Sequence, residues 1–263
     1  MAERLKGTDP SWLQKIKPAN SNTRISVGGG ARTSKLQIRD TSAYPGSPDN
    51  LGLTSDRLRH RMVERVRKQG VEHELVLGAL GSVARHQFVD AALASRAYED
   101  GALPIGHGQT ISQPWVVAHM LATLCDPTVP TKVLEIGTGC GYQAAVMSKV
   151  FAHVYTIERV RPLYDIAKGR IQRMGLRNVY CQFGDGMLGL PVKAPFDGIV
   201  VAAAGLSIPQ ALLDQLAIGG KLIAPEGDKV QRLIVVQRQS EHQWVRTELE
   251  AVRFVPLKPG IQN

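Results

Sequence analysis

The sequence is poor in cysteine and in long apolar runs, and both absences narrow what the chain can be. Its 263 residues include three cysteines, Cys125, Cys140 and Cys181, and no two of them form a C-x-x-C pair. This spacing excludes a disulfide framework and a cysteine-based metal cluster, and it favours a reducing compartment. No apolar run approaches the roughly 20 residues that a membrane helix requires, and no apolar core of a secretory signal follows the first basic residues. We therefore expect a cytoplasmic protein that needs neither a membrane nor a metal.

The charge balance is positive, but no segment stands out as a nucleic-acid site. Lysine and arginine number 32 against 23 for aspartate and glutamate, a net charge of +9. Residues 1–55 hold 8 of the basic and 4 of the acidic residues, so the excess is shared along the chain. A charge spread in this way is more typical of a solvated basic surface than of a nucleic-acid interface. We therefore do not expect a nucleic-acid partner, although the positive surface would favour anionic peptides.

One stretch has the pattern of a ligand-binding turn. The apolar run Val133–Ile136 is short and branched, as expected of a buried strand in a parallel sheet. Three glycines follow at every second position: Gly137, Gly139 and Gly141. Glycine lets the backbone turn sharply and approach a ligand without interference from a Cβ atom. Because helix-forming composition resumes over Tyr142–Val150, the stretch predicts a strand, a turn and a helix around the ligand crevice of an open α/β sheet.

This turn lacks the motifs that bind phosphate. A dinucleotide-binding turn requires a third glycine where this chain has Tyr142, and the Gly-Lys-Ser/Thr of a P-loop is absent. A carboxylate at Glu135 would repel a pyrophosphate but would suit a cationic ligand with hydroxyls. S-adenosylmethionine has an ammonium, a sulfonium and a ribose, and it has no phosphate. The turn resembles the first motif of Rossmann-like methyltransferases, which predicts a cofactor site formed by Glu135, Gly137, Thr138, Gly139 and Gly141; a tight turn without a ligand is the alternative.

Alternating strands and helices predict the fold class. Strands are expected at 132–136, 153–157, 179–183, 196–202 and 221–224, with later strands at 233–237 and 244–254. This alternation predicts an α/β fold with a doubly wound, mostly parallel sheet and antiparallel C-terminal strands. Helices after residue 54 would form an N-terminal helical cover, whereas residues 1–53 have the composition of a flexible extension. The predicted catalytic domain therefore spans 54–263.

Two acids follow later strands at the edge where such sheets bind ligands. Glu158 ends the second strand, 23 residues after Glu135, close to the position from which an acid binds ribose hydroxyls. Its carboxylate can accept hydrogen bonds from both hydroxyls. Asp185 and Gly186 follow the third strand, where we expect them to contact the adenine. An ordinary Asp-Gly turn is the alternative interpretation of Asp185.

A long segment before the sheet, residues 98–114, has the composition of a functional loop. It contains three glycines and two prolines, so we expect no regular element in it. Long loops inside a domain usually have a function. Pro114 is expected to begin a helix, which would place the Ser112 hydroxyl near helical N–H groups that favour anions. A plain helix cap is the alternative role for Ser112.

With these motifs in place, residues 54–263 resemble the protein-L-isoaspartate O-methyltransferases. The glycine-rich turn is common to many methyltransferases, but the sequence from Leu103 to Pro114 resembles the substrate loop of this family. The segments Pro209–Pro225 and Arg253–Leu257 resemble its later signatures, while Glu226 departs from the small apolar residue expected there. The resemblance implies that Ser112 orients the substrate carboxylate as the active-site serine. Four neighbours would shape the substrate pocket: His107, Gln109, Thr110 and Ile111.

The resemblance also implies an activity. A methyl group would pass from S-adenosylmethionine to the free α-carboxylate of L-isoaspartyl or D-aspartyl residues in damaged proteins, leaving S-adenosylhomocysteine. The ester can then collapse to a succinimide and reopen in part as normal aspartate. Because a carboxyl group has a pKa near 4, it is already a nucleophile at neutral pH and needs no general base. The protein must align acceptor and donor and exclude water, and a monomer would suffice.

Two other functions stay open on the sequence alone. A related Rossmann-like methyltransferase could act on RNA or on a small molecule, and the fold could also serve as a non-catalytic binding module. The intact acids and glycines argue against the binding module. A methyl ester formed on an isoaspartyl peptide would separate the first alternative from the expected activity.

Overall fold

The computed structural model describes residues 56–263, and the predicted extension at 1–53 lies outside the described residues. Residues 56–96 hold four helical segments: α1 (Asp56–Lys68), α2 (Glu74–Ser82) and two short 3₁₀ turns at Arg85–Phe88 and Ala91–Arg96. The apolar stripe of α1 places Met62 and Val66 in the core. Gly70 follows this helix with a φ of 100°, a left-handed conformation that favours glycine. The predicted helical cover is present.

The expectation that 98–114 contains no regular element is wrong. A two-stranded antiparallel hairpin lies within this segment: β1 (Leu103–Gly106) and β2 (Gln109–Ile111). The turn residues His107 and Gly108 have φ values of 53° and 69°, the left-handed pair that a two-residue hairpin turn requires. Glycine reaches this conformation at no steric cost, so the glycines here form the hairpin turn rather than break the strands.

The seven remaining strands form one sheet. They are β3 (Lys132–Ile136), β4 (His153–Glu158), β5 (Val179–Phe183), β6 (Phe196–Val201), β7 (Leu216–Gly227), β8 (Gln231–Ser240) and β9 (Gln243–Val252). Their spatial order is β5-β4-β3-β6-β7-β8-β9. The first five strands in this order pair in parallel, and β8 and β9 pair antiparallel at one end. The predicted doubly wound, mostly parallel sheet with antiparallel C-terminal strands is confirmed.

A helix, α3 (Pro114–Cys125), leads from the hairpin to β3. Three more helices connect parallel strands: α4 (Tyr142–Met147), α5 (Arg161–Arg173) and α6 (Gln210–Asp214). As predicted, α3 begins at Pro114, whose missing N–H has no intrahelical partner at this position. β7 begins at Leu216 rather than after Gly219, because Leu216 already pairs with Phe196 ahead of a bulge. Within residues 56–263, no helix combines the length and the apolar composition that crossing a membrane requires.

The sheet is buried on both faces. Alternate residues of a strand point to opposite faces, and this separates the core into two clusters. Val133 of β3 packs in the cluster that contains α1 to α4. Its neighbour Leu134 packs in the other cluster, together with Leu212 of α6. Burial on both faces explains why the central strands have continuous apolar runs rather than an apolar–polar alternation.

The chain returns to the carboxyl ends of the parallel strands after β9. Ala204, just after β6, donates its N–H to Val255 O at 2.8 Å and accepts from Leu257 N at 2.7 Å. Further along, Gln262 pairs in parallel with Val160 at the end of β4. The segment 255–262 therefore lies across the edge of the sheet where the sequence predicts the ligand.

We expect the packing of α3 in the core to contribute strongly to the free energy of unfolding. Leu121 is fully buried, with 0% of its surface exposed, so Leu121→Ala should lower the free energy of unfolding by about 2–5 kcal/mol through lost apolar burial and a new cavity. Val192→Ala is the matched control because Val192 is 82% exposed. Urea unfolding of both variants tests this, and equal losses in the two would contradict the described core.

Candidate active site

A cavity of ≈ 290 Å³ lies at the carboxyl ends of the parallel strands. Its walls come from the glycine-rich turn after β3, the end of β4, the residues after β6, the hairpin and the segment 255–262. Parallel strands place their ligands at this edge, where the connections to the helices diverge. The cavity therefore joins the predicted cofactor turn and the predicted substrate loop in one space.

The glycine-rich turn has the backbone that only glycine adopts freely. Gly137, Gly139 and Gly141 have φ values of 94°, 54° and 88°, all in the left-handed region. A Cβ atom at Gly139 would lie 3.2 Å from Ile105 Cδ1 in the hairpin. Gly137, Thr138 and Gly139 line the cavity, as predicted. Because these glycines have no side chains, the backbone can turn here and the hairpin can approach it closely.

Glu158 connects the turn to the end of β4. It is 5% exposed and lines the cavity. Its Oε2 accepts the Gly139 N–H at 2.8 Å, and its Oε1 accepts the Val160 N–H at 2.9 Å. Each oxygen keeps a further lone pair, because a carboxylate has about four acceptor positions. Glu158 can therefore hold the turn and still accept hydrogen bonds from a ligand.

Glu135 lies behind the cavity wall and does not line the cavity. It is 0% exposed, and its Oε2 accepts the Thr156 hydroxyl at 2.5 Å. Thr156 Oγ1 also lies 2.5 Å from Thr138 Oγ1, so the three side chains form one hydrogen-bonded chain. Burial raises the pKa of Glu135 to about 8, with Glu158 adding to the rise and Thr156 opposing it. Burial therefore favours the protonated form of Glu135, and this residue does not line the cavity at which the sequence predicts its carboxylate.

Of three further predicted residues, two lie outside the cavity lining. Asp185 Oδ1 accepts from Met187 N at 2.8 Å, and its Oδ2 accepts from Gly260 N at 2.6 Å. Asp185 does not line the cavity, whereas Gly186 does. A Cβ atom at Gly186 would lie 2.5 Å from Ile136 Cγ2, so no larger residue fits there. Gly141 also lies outside the cavity lining; a Cβ there would lie 3.4 Å from Ala167 Cβ in α5.

The predicted substrate residues all line the cavity: His107, Gln109, Thr110, Ile111 and Ser112. Ser112 stands between β2 and α3 and is half-buried. The N-cap of α3 is Gln113, and no side chain caps this helix. Ser112 is therefore not the N-cap of α3, and it is one of the residues that line the cavity.

Several lining residues have no counterpart in the sequence predictions. They are Val117, Ile136, Cys140, Tyr142, Gln143, Ile157, Arg159, Val160, Ala202, Ala203, Val255, Pro256, Leu257, Lys258 and Gln262. Ala202 and Ala203 follow β6, so the rule that ligands bind beyond the carboxyl ends of strands would have found them. Nothing local in the sequence indicates that the segment from Val255 to Gln262 lies beside β4, because that contact joins residues about 100 positions apart.

Comparison with known proteins shows the family of this chain. The family model described as protein-L-isoaspartate(D-aspartate) O-methyltransferase matches residues 57–262. A protein-L-isoaspartate O-methyltransferase of Bordetella parapertussis is 59% identical over 249 residues, covering 94% of this chain and 94% of that protein. One of Burkholderia thailandensis is 50% identical over 261 residues, covering 97% of this chain and 80% of that protein.

Solved structures agree as well. A structure described as a protein-L-isoaspartate O-methyltransferase has a TM-score of 0.70 and 29% identity, covering 78% of this chain and 67% of that chain. A Plasmodium falciparum protein assigned to the same enzyme, in complex with S-adenosyl-L-homocysteine, has a TM-score of 0.67 and 25% identity, covering 76% of this chain and 98% of that chain. The chain therefore belongs to the protein-L-isoaspartate(D-aspartate) O-methyltransferase family.

Proposed function

We propose that this chain transfers a methyl group from S-adenosylmethionine to the free α-carboxylate of L-isoaspartyl and D-aspartyl residues, and so begins their repair through a succinimide. One observation carries the proposal: a single cavity joins the glycine-rich turn and Glu158 to the hairpin that ends at Ser112. A donor site and an acceptor site that share one space are what a direct group transfer requires.

The residues present fit S-adenosylmethionine. The left-handed glycines Gly137 and Gly139 leave backbone rather than side chains at the cavity wall. Glu158 would accept from the ribose hydroxyls, since both of its oxygens are fixed by backbone donors and keep free lone pairs. When bound, the cofactor supplies an electrophilic methyl group on its sulfonium. Thr138 and Gly186 would complete its site.

The acceptor side is formed by the hairpin and the start of α3. Ser112 would donate its hydroxyl to the substrate carboxylate and so fix the orientation of the attacking oxygen. The N-terminus of α3 begins at Pro114, two residues later, and its dipole favours the same anion. His107, Gln109, Thr110 and Ile111 would shape the pocket around the substrate. No base is required, because the carboxylate is already ionised.

Three predicted residues that do not line the cavity would support the cofactor site from behind it. Glu135 acts through Thr156 on Thr138, which lines the cavity. Asp185 holds the turn after β5 and the segment at Gly260, and Gly141 allows α4 to pack against α5. We assign these three residues to the cofactor site as supports rather than as direct contacts.

The proposal extends to the surroundings of the enzyme. Isoaspartyl peptides and proteins are its partners, and the spread of positive charge along the chain gives no reason to add a nucleic acid. The proposal includes a monomer that acts in the cytoplasm.

Ser112→Ala tests the acceptor site and the activity together. Wild-type protein should label an isoaspartyl peptide with a base-labile methyl ester. The variant should bind cofactor normally but lose about 10- to 150-fold in kcat/KM, because one hydrogen bond to a charged group is lost. Ser82→Ala is the matched control, since the Ser82 hydroxyl bonds to Ala79 O within α2, away from the cavity. Undiminished turnover by Ser112→Ala would remove the assignment.

Glu158→Gln tests the donor site. An amide has one acceptor oxygen, so it cannot accept from both Gly139 N and Val160 N. We expect cofactor affinity, measured by calorimetry, to fall at least about tenfold through the loss of a charge-assisted hydrogen bond and of turn geometry. Asp165→Asn, on the exposed face of α5, should bind cofactor as wild type does. Equal affinities of Glu158→Gln and wild type would contradict the site.

Glu135→Gln tests the buried carboxyl through pH. Between pH 4.5 and about 8, unfolded Glu135 is ionised while folded Glu135 keeps its proton. Raising the pH in this window therefore favours unfolding, by at most about 1.4 kcal/mol per pH unit. The unfolding free energy of wild type should fall relative to that of the variant across the window, as followed by urea unfolding. Parallel pH profiles would show that Glu135 is not protonated in the fold.

A further inference from the structure

The segment Pro259–Gln262, here called the closing segment, lies against the end of β4. Its last residue, Gln262, lines the cavity beside Glu158 and Val160. The preceding residues Leu257 and Lys258 also line the cavity. All four residues of the closing segment are exposed, and Gln262 also belongs to the cavity lining, so the segment borders the cavity on its solvent side.

Arg159 fastens this segment with its side chain. Its guanidinium makes three contacts: Nε donates to Gly260 O at 2.9 Å, Nη1 to Gln262 Oε1 at 3.3 Å and Nη2 to Pro259 O at 3.4 Å. Three separate nitrogens reach three separate acceptors, which suits the rigid fork of arginine. Lysine, with one ammonium on a flexible stem, could not reproduce this set.

The backbone and Asp185 complete the attachment. Gln262 donates its N–H to Arg159 O and accepts from Arg161 N, both at 2.8 Å. Asp185 Oδ2 accepts from Gly260 N at 2.6 Å. The closing segment is therefore attached to the ends of two adjacent strands, β4 through Arg159 and β5 through Asp185.

Arg159 directly follows Glu158, which gives the attachment a consequence for the ligand. Glu158 and Arg159 both line the cavity, and the Arg159 guanidinium also reaches the closing segment. Two adjacent residues therefore join the part of the cavity at Glu158 to the closing segment. If the wall detaches, the cavity opens to solvent next to the residue that would hold the ribose, while the hairpin at Ser112 is untouched.

We propose that Arg159 and Asp185 are positioning residues that hold the closing segment as a wall of the cofactor site, and that this wall slows release of the cofactor and its product. The inference rests on the proposed function for the identity of the ligand. We expect loss of this wall to speed dissociation of the cofactor and its product but to leave binding of the isoaspartyl peptide unchanged. A general loss of structure would weaken both.

Arg159→Ala and Arg161→Ala are the matched pair. Arg161 is the neighbouring arginine; its side chain pairs with Asp165 on the surface, and only its backbone N–H contacts the closing segment. The dissociation rate of S-adenosylhomocysteine, measured by stopped flow, should rise at least about tenfold in Arg159→Ala as three hydrogen bonds are lost. It should stay within about twofold of wild type in Arg161→Ala. The KM for an isoaspartyl peptide at saturating cofactor should change by less than about twofold in both.

Two further variants protect the test against misfolding. Arg159→Lys keeps the charge and should still release product faster than wild type. Asp185→Asn keeps the shape and should do the same, because the amide can serve only one of Met187 N and Gly260 N as acceptor. Product release at the wild-type rate in a folded Arg159→Ala, or equal acceleration in Arg161→Ala, would overturn the proposal.

The outcomes also separate this inference from the proposed function. A wild type that releases S-adenosylhomocysteine slowly but does not methylate isoaspartyl peptide would overturn the substrate assignment and leave the wall in place. If the wild type methylates the peptide and Arg159→Ala releases S-adenosylhomocysteine at the wild-type rate, the role of the wall is overturned and the substrate assignment stands.

Discussion

The site depends on the carboxylate of Glu158, which joins two backbone segments that the chain brings together only in the folded sheet. One oxygen accepts from Gly139 in the glycine-rich turn and the other from Val160 ahead of α5. Gly139 precedes α4 and Val160 is the N-cap of α5, so neither N–H is bonded within a helix. By satisfying them, Glu158 fixes the turn after β3 relative to the end of β4. The hairpin then packs onto this turn, with Ile105 against Gly139.

Glu135, Glu158 and Asp185 lie in different environments because they occupy different positions relative to the strands. Glu158, at the end of β4, reaches the cavity, whereas Glu135 is one register position inside β3, opposite Thr156 of β4. That register buries Glu135 between strands and favours its protonated form. Asp185, beyond β5, is taken up by backbone groups of its own turn and of the closing segment. Three acids of similar appearance in the sequence therefore lie in three different environments, and of the three only Glu158 lines the cavity.

Patterns that are local in sequence predicted the fold and much of the site. Branched apolar runs with intervening helices predicted the parallel sheet, and the position of Glu158 at a strand end predicted its place in the cavity. The hairpin was not predicted, because the glycines beside His107 indicate a break until their left-handed turn is seen. The closing segment could not be predicted either: Arg159 meets Gly260 101 positions later, and no periodicity records such a contact. Sequence patterns identify which residues face an edge of the sheet, but not which distant segment covers it.

The central claim is that the shared cavity selects an isoaspartyl carboxylate as methyl acceptor. The most direct measurement compares methyl transfer from labelled S-adenosylmethionine to an isoaspartyl peptide and to its normal aspartyl twin, with an RNA of mixed sequence as a third acceptor. We expect a base-labile methyl ester on the isoaspartyl peptide and only background labelling of the aspartyl peptide and the RNA. Equal labelling of both peptides, or label on the RNA alone, would contradict it.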